Sequence, residues 1–309
     1  MGSRCFRRRE VMRTLREPRS IITILVALAV MLTVVGCQGS AHGAKVVADQ
    51  PTLRVSVQPV FSLQVTTERY LPLIEYLGRE TGYKMRVVSA LSYNGYLTTL
   101  EGDQVDIGFQ GPTAYVITAK ARGARPLAQA VTIDGQKGYR GVIIVHLDSP
   151  IKSIPDLRGK TGMIVSHRSL GGYLAQRALC LDNGLDVASE MVIGVAPTED
   201  VIIHAVHDKR VDAGFVREDA LQAVSARLDL SKIRVLATTD SYPGWVFASF
   251  QDTDPVAAAE VKAALLRLKP DIAEERAMLD AAQLAGFVEV DDKDYDSVRK
   301  LMNRLGVPY

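Results

Sequence analysis

The sequence predicts an α/β fold of two lobes between which the chain crosses twice. Three observations lead there. From Leu53 to Val131, short strand-like runs alternate with helix-like runs, the rhythm of a largely parallel sheet covered on both faces. The same rhythm restarts at Gly141. The two places where it breaks carry turn chemistry: Asp134-Gly135-Gln136-Lys137-Gly138 and Asp240-Ser241-Tyr242-Pro243-Gly244.

Taken in order, the chain begins with Arg4, Arg7, Arg8, Arg9, Arg13, Arg16 and Arg19 ahead of an apolar run, Ile21–Val35. That run has the length of a signal-peptide core and falls short of the about 20 residues that a membrane span needs. It ends in Gly36-Cys37, a small residue before Cys, as in a bacterial lipobox. Cleavage before Cys37 and a diacylglycerol on its thiol are expected, with an uncleaved signal anchor as the alternative, because Val35 stands where the pattern prefers Ala or Ser. The start is at Met1 or Met12. Residues 1–36 then form the signal and 37–51 the lipidated Cys and a small, polar tether. The product is expected outside the cytoplasm, periplasmic or at the cell surface. Of three cysteines, only Cys180 remains free in the mature chain, inside an apolar helical run, and it reads as a buried structural thiol.

In the first lobe, Leu53–Val57 alternates with period two and reads as a strand; Thr66–Glu80 reads as a helix stopped by Gly82. Strands follow at Met85–Val88, Asp106–Phe109 and Leu127–Val131, with helices over Ser92–Glu101 and from Pro112, a proline in the first turn. In the second lobe, Gly141–Val145 is β-branched and apolar, as a central strand requires. Strands are expected at Thr161–Val165, Met191–Val195, Asp212–Val216 and Ile233–Ala237, and helices over Gly171–Asp182, Asp200–His207 and Arg217–Ala226. The strand Val246–Phe250 and helices over Pro255–Leu268, Ala273–Ala285 and Tyr295–Leu305 finish the chain. The expected lobes are 52–134 plus 243–309, and 139–238. Two hinged lobes close on a ligand between them, and in open α/β sheets the ligand sits outside the carboxyl ends of the strands.

A net charge of +2, much of its positive part at the N-terminus, leaves no basic stripe for nucleic acid. The sequence carries no Gly-x-Ser-x-Gly elbow, Walker loop or paired-Cys motif. His204 and His207 with Asp200 and Asp208 have metal-compatible spacing, but an exposed helical face is the stronger reading. No catalytic residue, metal or cofactor is expected.

Several segments together resemble the phosphate/phosphite/phosphonate-binding (PhnD-like) family of ABC-transporter solute-binding proteins. They are Asp106-Ile107-Gly108-Phe109-Gln110-Gly111-Pro112-Thr113-Ala114-Tyr115, Tyr139–Val145, Ser153–Lys160, Gly172-Tyr173-Leu174 and Val211-Asp212-Ala213-Gly214, and the resemblance spans Leu53 to Tyr309. It implies the type 2 periplasmic-binding-protein (Venus-flytrap) fold. It also implies a small tetrahedral anion held at a helix N-terminus, where free N–H groups and the helix dipole favour negative charge. The equivalent loop here is Ser166–Tyr173, with Ser169-Leu170-Gly171 where the family has Ser-Thr-Ser. Glu199 or its neighbour stands where the family has a His, and Arg217 where it has an acidic residue, so Arg168 and Arg217 become the candidate anion partners. Tyr93, Gln110, Tyr115, Arg168, Ser169, Glu199 and Arg217 are the candidate ligand-binding residues. For Arg217 an ion pair with Glu218 or Asp219 is an equal alternative, and Trp245 reads as a ligand-stacking ring or a core anchor beside the hinge.

The resemblance implies a monomeric receptor, anchored to the membrane through Cys37, that delivers a small anionic solute to an ABC importer permease. Pro197–Asp200, Gly214–Arg217 and Tyr242–Ala248 are similar to sensor-linked members of the same family, so a sensor kinase is the alternative partner.

Overall fold

The computed structural model describes residues 50–309. The expected signal segment, Cys37 and most of the tether lie outside the described residues. Among those described, no helix is long and apolar enough to cross a membrane.

The chain first forms β1 (Thr52–Val57), α1 (Leu63–Thr81), β2 (Lys84–Val87), α2 (Tyr93–Glu101), β3 (Ile107–Gln110), α3 (Pro112–Arg122) and β4 (Arg125–Thr132). It crosses through β5 (Gly138–Tyr139) into β6 (Gly141–His146), β7 (Thr161–Ile164), α4 (Ala175–Asp182), α5 (Val187–Glu190), β8 (Val192–Val195), α6 (Glu199–His207), β9 (Ala213–Arg217), α7 (Glu218–Val224) and β10 (Ile233–Thr238). It returns through β11 (Tyr242–Pro243) to β12 (Val246–Ser249), α8 (Pro255–Arg267), α9 (Ala273–Ala282), β13 (Leu284–Val288) and α10 (Asp296–Arg304).

The first sheet has the order β13-β4-β12-β3-β1-β2 and the second the order β10-β6-β9-β7-β8. The architecture is therefore two-lobed α/β. The parallel rhythm holds only at one end of each sheet, in β2-β1-β3 and β8-β7-β9, where β2 and β8 are the edge strands. The remaining pairings are antiparallel, because β12 re-enters from the crossing and inserts between β3 and β4 with no crossover helix to reverse it. Likewise β6 pairs antiparallel with both β9 and β10.

Three further elements differ from the sequence expectation. The helix predicted to run to Ala285 stops at Gln283, which adopts φ 59°, and Leu284–Val288 is an edge strand paired with β4. Its short apolar run follows a helix directly, so periodicity alone could not separate the two. Arg217 ends β9 rather than starting a helix. The helix expected from Gly171 opens with a wide π turn, Leu170–Leu174, before α4. π turns are frequent at functional sites.

Each lobe has apolar packing of its own, and one buried cluster joins the two, setting Tyr96 and Tyr115 of the first lobe with Ile143 and Phe215 of the second. In the first, Phe109 stacks on Phe247 with ring centroids 4.4 Å apart, and Trp245 packs 5.2 Å from Phe109. Ile143, Ile144 and Phe215 are fully buried in the second lobe. At the crossing, β5 and β11 pair as a two-stranded ribbon. Gly138 is required there: a Cβ would lie 2.5 Å from the Tyr242 carbonyl oxygen and 2.7 Å from Ser241 Oγ. The second crossing is tied to the first where Gly244 N–H donates to the Lys137 carbonyl at 2.9 Å.

Candidate functional site

The carboxyl ends of β1, β3, β7 and β9 point at one small cavity between the lobes. Among its walls are Gln58, Val60, Tyr93, Thr113 and Trp245 from the first lobe, Ser169, Glu199 and Arg217 from the second, and Tyr139 from the crossing ribbon. Its free volume is about 10 Å³, room for about one water molecule, so the lobes are closed on each other. A depression of about 720 Å³ beside the crossing is larger, but it is walled by exposed pairs such as Arg140–Glu218. Buried polar groups mark the smaller cavity as the candidate site.

Four contacts hold the lobes closed here. Tyr93 Oη donates to the Arg168 carbonyl at 3.1 Å and shares a 2.9 Å hydrogen bond with Thr113 Oγ1. Ser166 Oγ donates to Asn94 Oδ1 at 2.8 Å. Glu199 N–H donates to the Val60 carbonyl at 3.2 Å. Arg168 reaches Glu101 at 3.6 Å. Burial pushes the Tyr93 hydroxyl up to about 12, so it stays a neutral donor.

Ser169 caps the π turn, its Oγ accepting from Gly172 N–H at 3.2 Å. By position, the N–H groups of Leu170 and Gly171 have no acceptor within the helix. Gly171 permits the close approach of three elements: a Cβ would collide with the Tyr139 ring and lie 2.9 Å from Arg217 Cγ.

The charged pair beside this turn is buried. Glu199 is 3% exposed and Arg217 8%. Arg217 Nε lies 3.9 Å from Glu199 Oε2, and Arg217 N–H donates to the same oxygen at 3.4 Å. The guanidinium also forms a fork on Asp219, Nε to Oδ1 at 3.0 Å and Nη2 to Oδ2 at 2.8 Å. It sits 4.9 Å from the Trp245 ring and 5.6 Å from that of Tyr139, within cation–π range. Burial pushes the Glu199 carboxyl up to about 7, against the pull of Arg217. Burial also works against the charge on Arg217, but Asp219 and Glu199 outweigh it and hold the guanidinium ionised.

Of the residues singled out from sequence, Tyr93, Ser169, Glu199 and Arg217 come together at the cavity. Three side chains do not. Gln110 is fully buried, accepts from Thr118 Oγ1 at 3.2 Å and leaves its Nε2 unpartnered in the core; only the next residue, Gly111, reaches the cavity. Tyr115 faces α10, donating to Asp292 Oδ1 at 2.5 Å and packing 4.6 Å from Tyr295. Arg168 turns outward to Glu101 and brings only its carbonyl to the cleft. The Arg217 alternatives resolve into a fork with Asp219, while Glu218 pairs with Arg140 at 3.1 Å. Trp245 packs on Phe109 as a core anchor and also lines the cavity.

Sequence reasoning missed Gln58, Thr113 and Tyr139. Gln58 Oε1 accepts from Gly111 N–H at 2.9 Å and joins the ends of β1 and β3. Its place directly after a predicted strand was the signal for it. Tyr139 was legible only as a crossing residue. As for metal, no group of three or more His, Cys, Asp or Glu is placed to hold one among the described residues; His207 Nδ1 instead pairs with Asp208 Oδ1 at 2.9 Å.

Residues 55–295 match the family described as the periplasmic substrate-binding protein of phosphonate ABC transporters. The chain is 26% identical to the phosphate-import protein PhnD of Mycolicibacterium smegmatis, over 94% of this chain and 98% of that one. A binding protein of Prochlorococcus marinus, solved with methylphosphonate, superposes with a TM-score of 0.76 at 17% identity, covering 84% of this chain and 99% of that one. The binding component of a Pseudomonas aeruginosa ABC phosphonate transporter gives 0.75 at 21% identity, covering 82% and 86%. At these identities the two structures bear on the fold alone.

Proposed function

The chain belongs to the family of periplasmic substrate-binding proteins of phosphonate ABC transporters, and from that premise we propose that it captures a small phosphorus oxyanion between its lobes for an importer permease. The ligand class is phosphate, phosphite or a short phosphonate. The observation that carries this reading is the convergence of four strand ends on one closed cavity. There the free N–H groups of a helix start, the Arg217 guanidinium and the Tyr93–Thr113 hydroxyl pair surround a single small space. Buried donors around such a space favour an oxyanion. Of the seven candidates, Tyr93, Ser169, Glu199 and Arg217 are the ligand-facing set, joined by Trp245. The lobes are taken as 52–134 plus 243–309, and 139–238. A binding role rather than an enzymatic one follows the relatives, which are named as transport receptors. The sensor-kinase reading gains nothing from them.

The mature protein is proposed to stand outside the cytoplasm, held to the membrane by a diacylglycerol on Cys37. Mass spectrometry of the N-terminal peptide tests this directly: a lipid-bearing Cys37 supports the anchor, and an intact peptide running through Gly36-Cys37 contradicts it. Calorimetric titration with phosphate, phosphite and methylphosphonate tests the ligand class. Saturable binding of at least one, weakened by Arg217→Met, is the expected outcome.

A further inference from the structure

A second cavity lies away from the interlobe site, where the C-terminal tail meets the second lobe. Its free volume is about 460 Å³, inside the range of about 300–1,000 Å³ that small-molecule sites occupy and far more than a bare oxyanion fills. It shares no lining residue with the interlobe cavity. One wall is fixed by the way α10 ends. Gly306 takes φ 65° and donates its N–H to the Asn303 carbonyl at 3.1 Å, while Val307 N–H donates to the Met302 carbonyl at 2.9 Å. This double closure is the Schellman pattern, and it turns Val307 and Pro308 out of the helix line to wall the cavity. Tyr309 pins the end of the tail: its hydroxyl accepts from Asn303 Nδ2 at 3.2 Å, and its ring lies 5.1 Å from Lys120 Nζ. Further walls are Met191 and Ile193 at β8 and Tyr173 of the π turn.

Cations gather at this apolar space: Arg177 on α4, with His167 and Arg168 from the loop after β7. Arg177 is poorly satisfied. Its Nε is buried with no hydrogen-bond partner, and Nη1 reaches only the Leu305 carbonyl, at 3.5 Å. Asp186 Oδ1 stands 3.8 Å from Nε, kept there by its own task of accepting from Ala188 N–H at 3.1 Å to cap α5. Asp182, on the same helix as Arg177, is taken by Arg304. Arg168 meets Glu101 only at 3.6 Å. A buried donor without an acceptor is costly, and the guanidinium fork matches a planar carboxylate. Asp186 and Glu101, standing beside the cations, favour a head of single charge over a dianion.

We infer that this cavity is a second binding site, which takes an organic carboxylate with an apolar body. The carboxylate pairs with Arg177, and the body lies on Met191, Ile193, Leu305 and Val307. A bare inorganic anion would leave those walls wet, and a neutral apolar molecule would leave Nε of Arg177 unpaired. The inference stands apart from the oxyanion reading of the interlobe cavity and neither needs nor supports it.

The test is calorimetric titration of the full chain, purified in detergent, with sodium 4-phenylbutyrate at neutral pH, corrected by titration into detergent alone. Saturable one-site binding with Kd below about 1 mM is expected. It should weaken about tenfold or more in Arg177→Met, and likewise in Ala188→Trp, whose indole fills the cavity from α5. Butyrate, which lacks the ring, and 4-phenylbutyramide, which lacks the charge, should each bind wild type about tenfold or more weakly than 4-phenylbutyrate. Absence of saturable binding overturns the inference, and so does equal binding by wild type and both variants. Equal binding of butyrate or of the amide overturns it as well. Displacement of 4-phenylbutyrate by sodium phosphate places the probe between the lobes and has the same consequence. Where neither variant folds, nuclear Overhauser contacts in the wild type decide. Probe ring protons close to the methyls of Ile193, Leu305 and Val307 support the site, and their absence overturns it.

Discussion

The buried Glu199 carboxyl makes the stability of the ligand-free protein depend on pH in a direction opposite to that of most carboxylates. Its pKa rises from an ordinary 4.5 to about 7 because burial penalises the ionised form more than Arg217 rewards it. The folded protein therefore holds this proton more tightly than the unfolded chain does. Stability from this source is fully present below the unfolded value and is lost as pH climbs through about 7. At about 1.4 kcal/mol per pKa unit, the loss is about 3 kcal/mol, a sizeable part of the 5–15 kcal/mol that typically separates folded from unfolded proteins. Urea denaturation in phosphate-free buffer at several pH values between 4 and 8.5 measures it. The quantity to follow is the difference between wild type and Glu199→Gln. Carboxyls held low by their partners, such as Asp106 by Arg54, contribute equally to both proteins and cancel. Wild type should lose about 3 kcal/mol relative to the variant across this range. Parallel curves would refute the reasoning and show that the carboxylate is as well satisfied folded as unfolded.

Arg217→Met removes the cation that faces Glu199 while Asp219, about half exposed, relaxes into solvent. Breaking such a buried pair costs about 3–5 kcal/mol, and adding Glu199→Gln should recover much of it; urea midpoints of the two singles and the double give the coupling. Tyr93→Phe deletes the hydroxyl that joins Thr113 to the Arg168 carbonyl across the lobes. A loss of about 1 kcal/mol from the closed form predicts about fivefold weaker ligand binding by calorimetry, with folding retained. Cys180 is buried, and burial pushes its thiol up to about 12. It should be inert to a disulfide reagent in the native protein and react on denaturation.

Much of the architecture was legible because it rests on local periodicity. β1, β6 and α1 announce themselves by alternation, by β-branching and by a capped amphipathic run, and the crossings by their Gly and Pro. Sheet order was less legible. β12 and β13 are short apolar runs whose antiparallel partners are set by where the chain re-enters, which no local pattern records. At the candidate site, loop position pointed to Ser169, while Glu199 and Arg217 came from the places where the resembled family has a His and an acidic residue. Position along the chain does not fix the direction of a side chain, and this is where Arg168, Gln110 and Tyr115 diverge. Arg168 is long enough to reach Glu101 instead. Gln110 ends β3, a strand buried on both faces, and its side chain points into the core. Tyr115 is on α3, on a face that packs against α10 rather than the cavity. The Asp219 fork on Arg217 was foreseeable as one of two ion pairs, but the burial that makes Glu199 titrate near neutrality needed the packed lobes.

The central claim is that the cleft between the lobes, closed here to about 10 Å³, opens to take a small phosphorus oxyanion. Calorimetric titration of the purified protein with phosphate, phosphite and methylphosphonate at pH 8 tests it most directly. One-site binding of at least one of them is expected, lost or strongly weakened in Arg217→Met. Absence of heat and of thermal stabilisation with all three, in a folded protein, would contradict it.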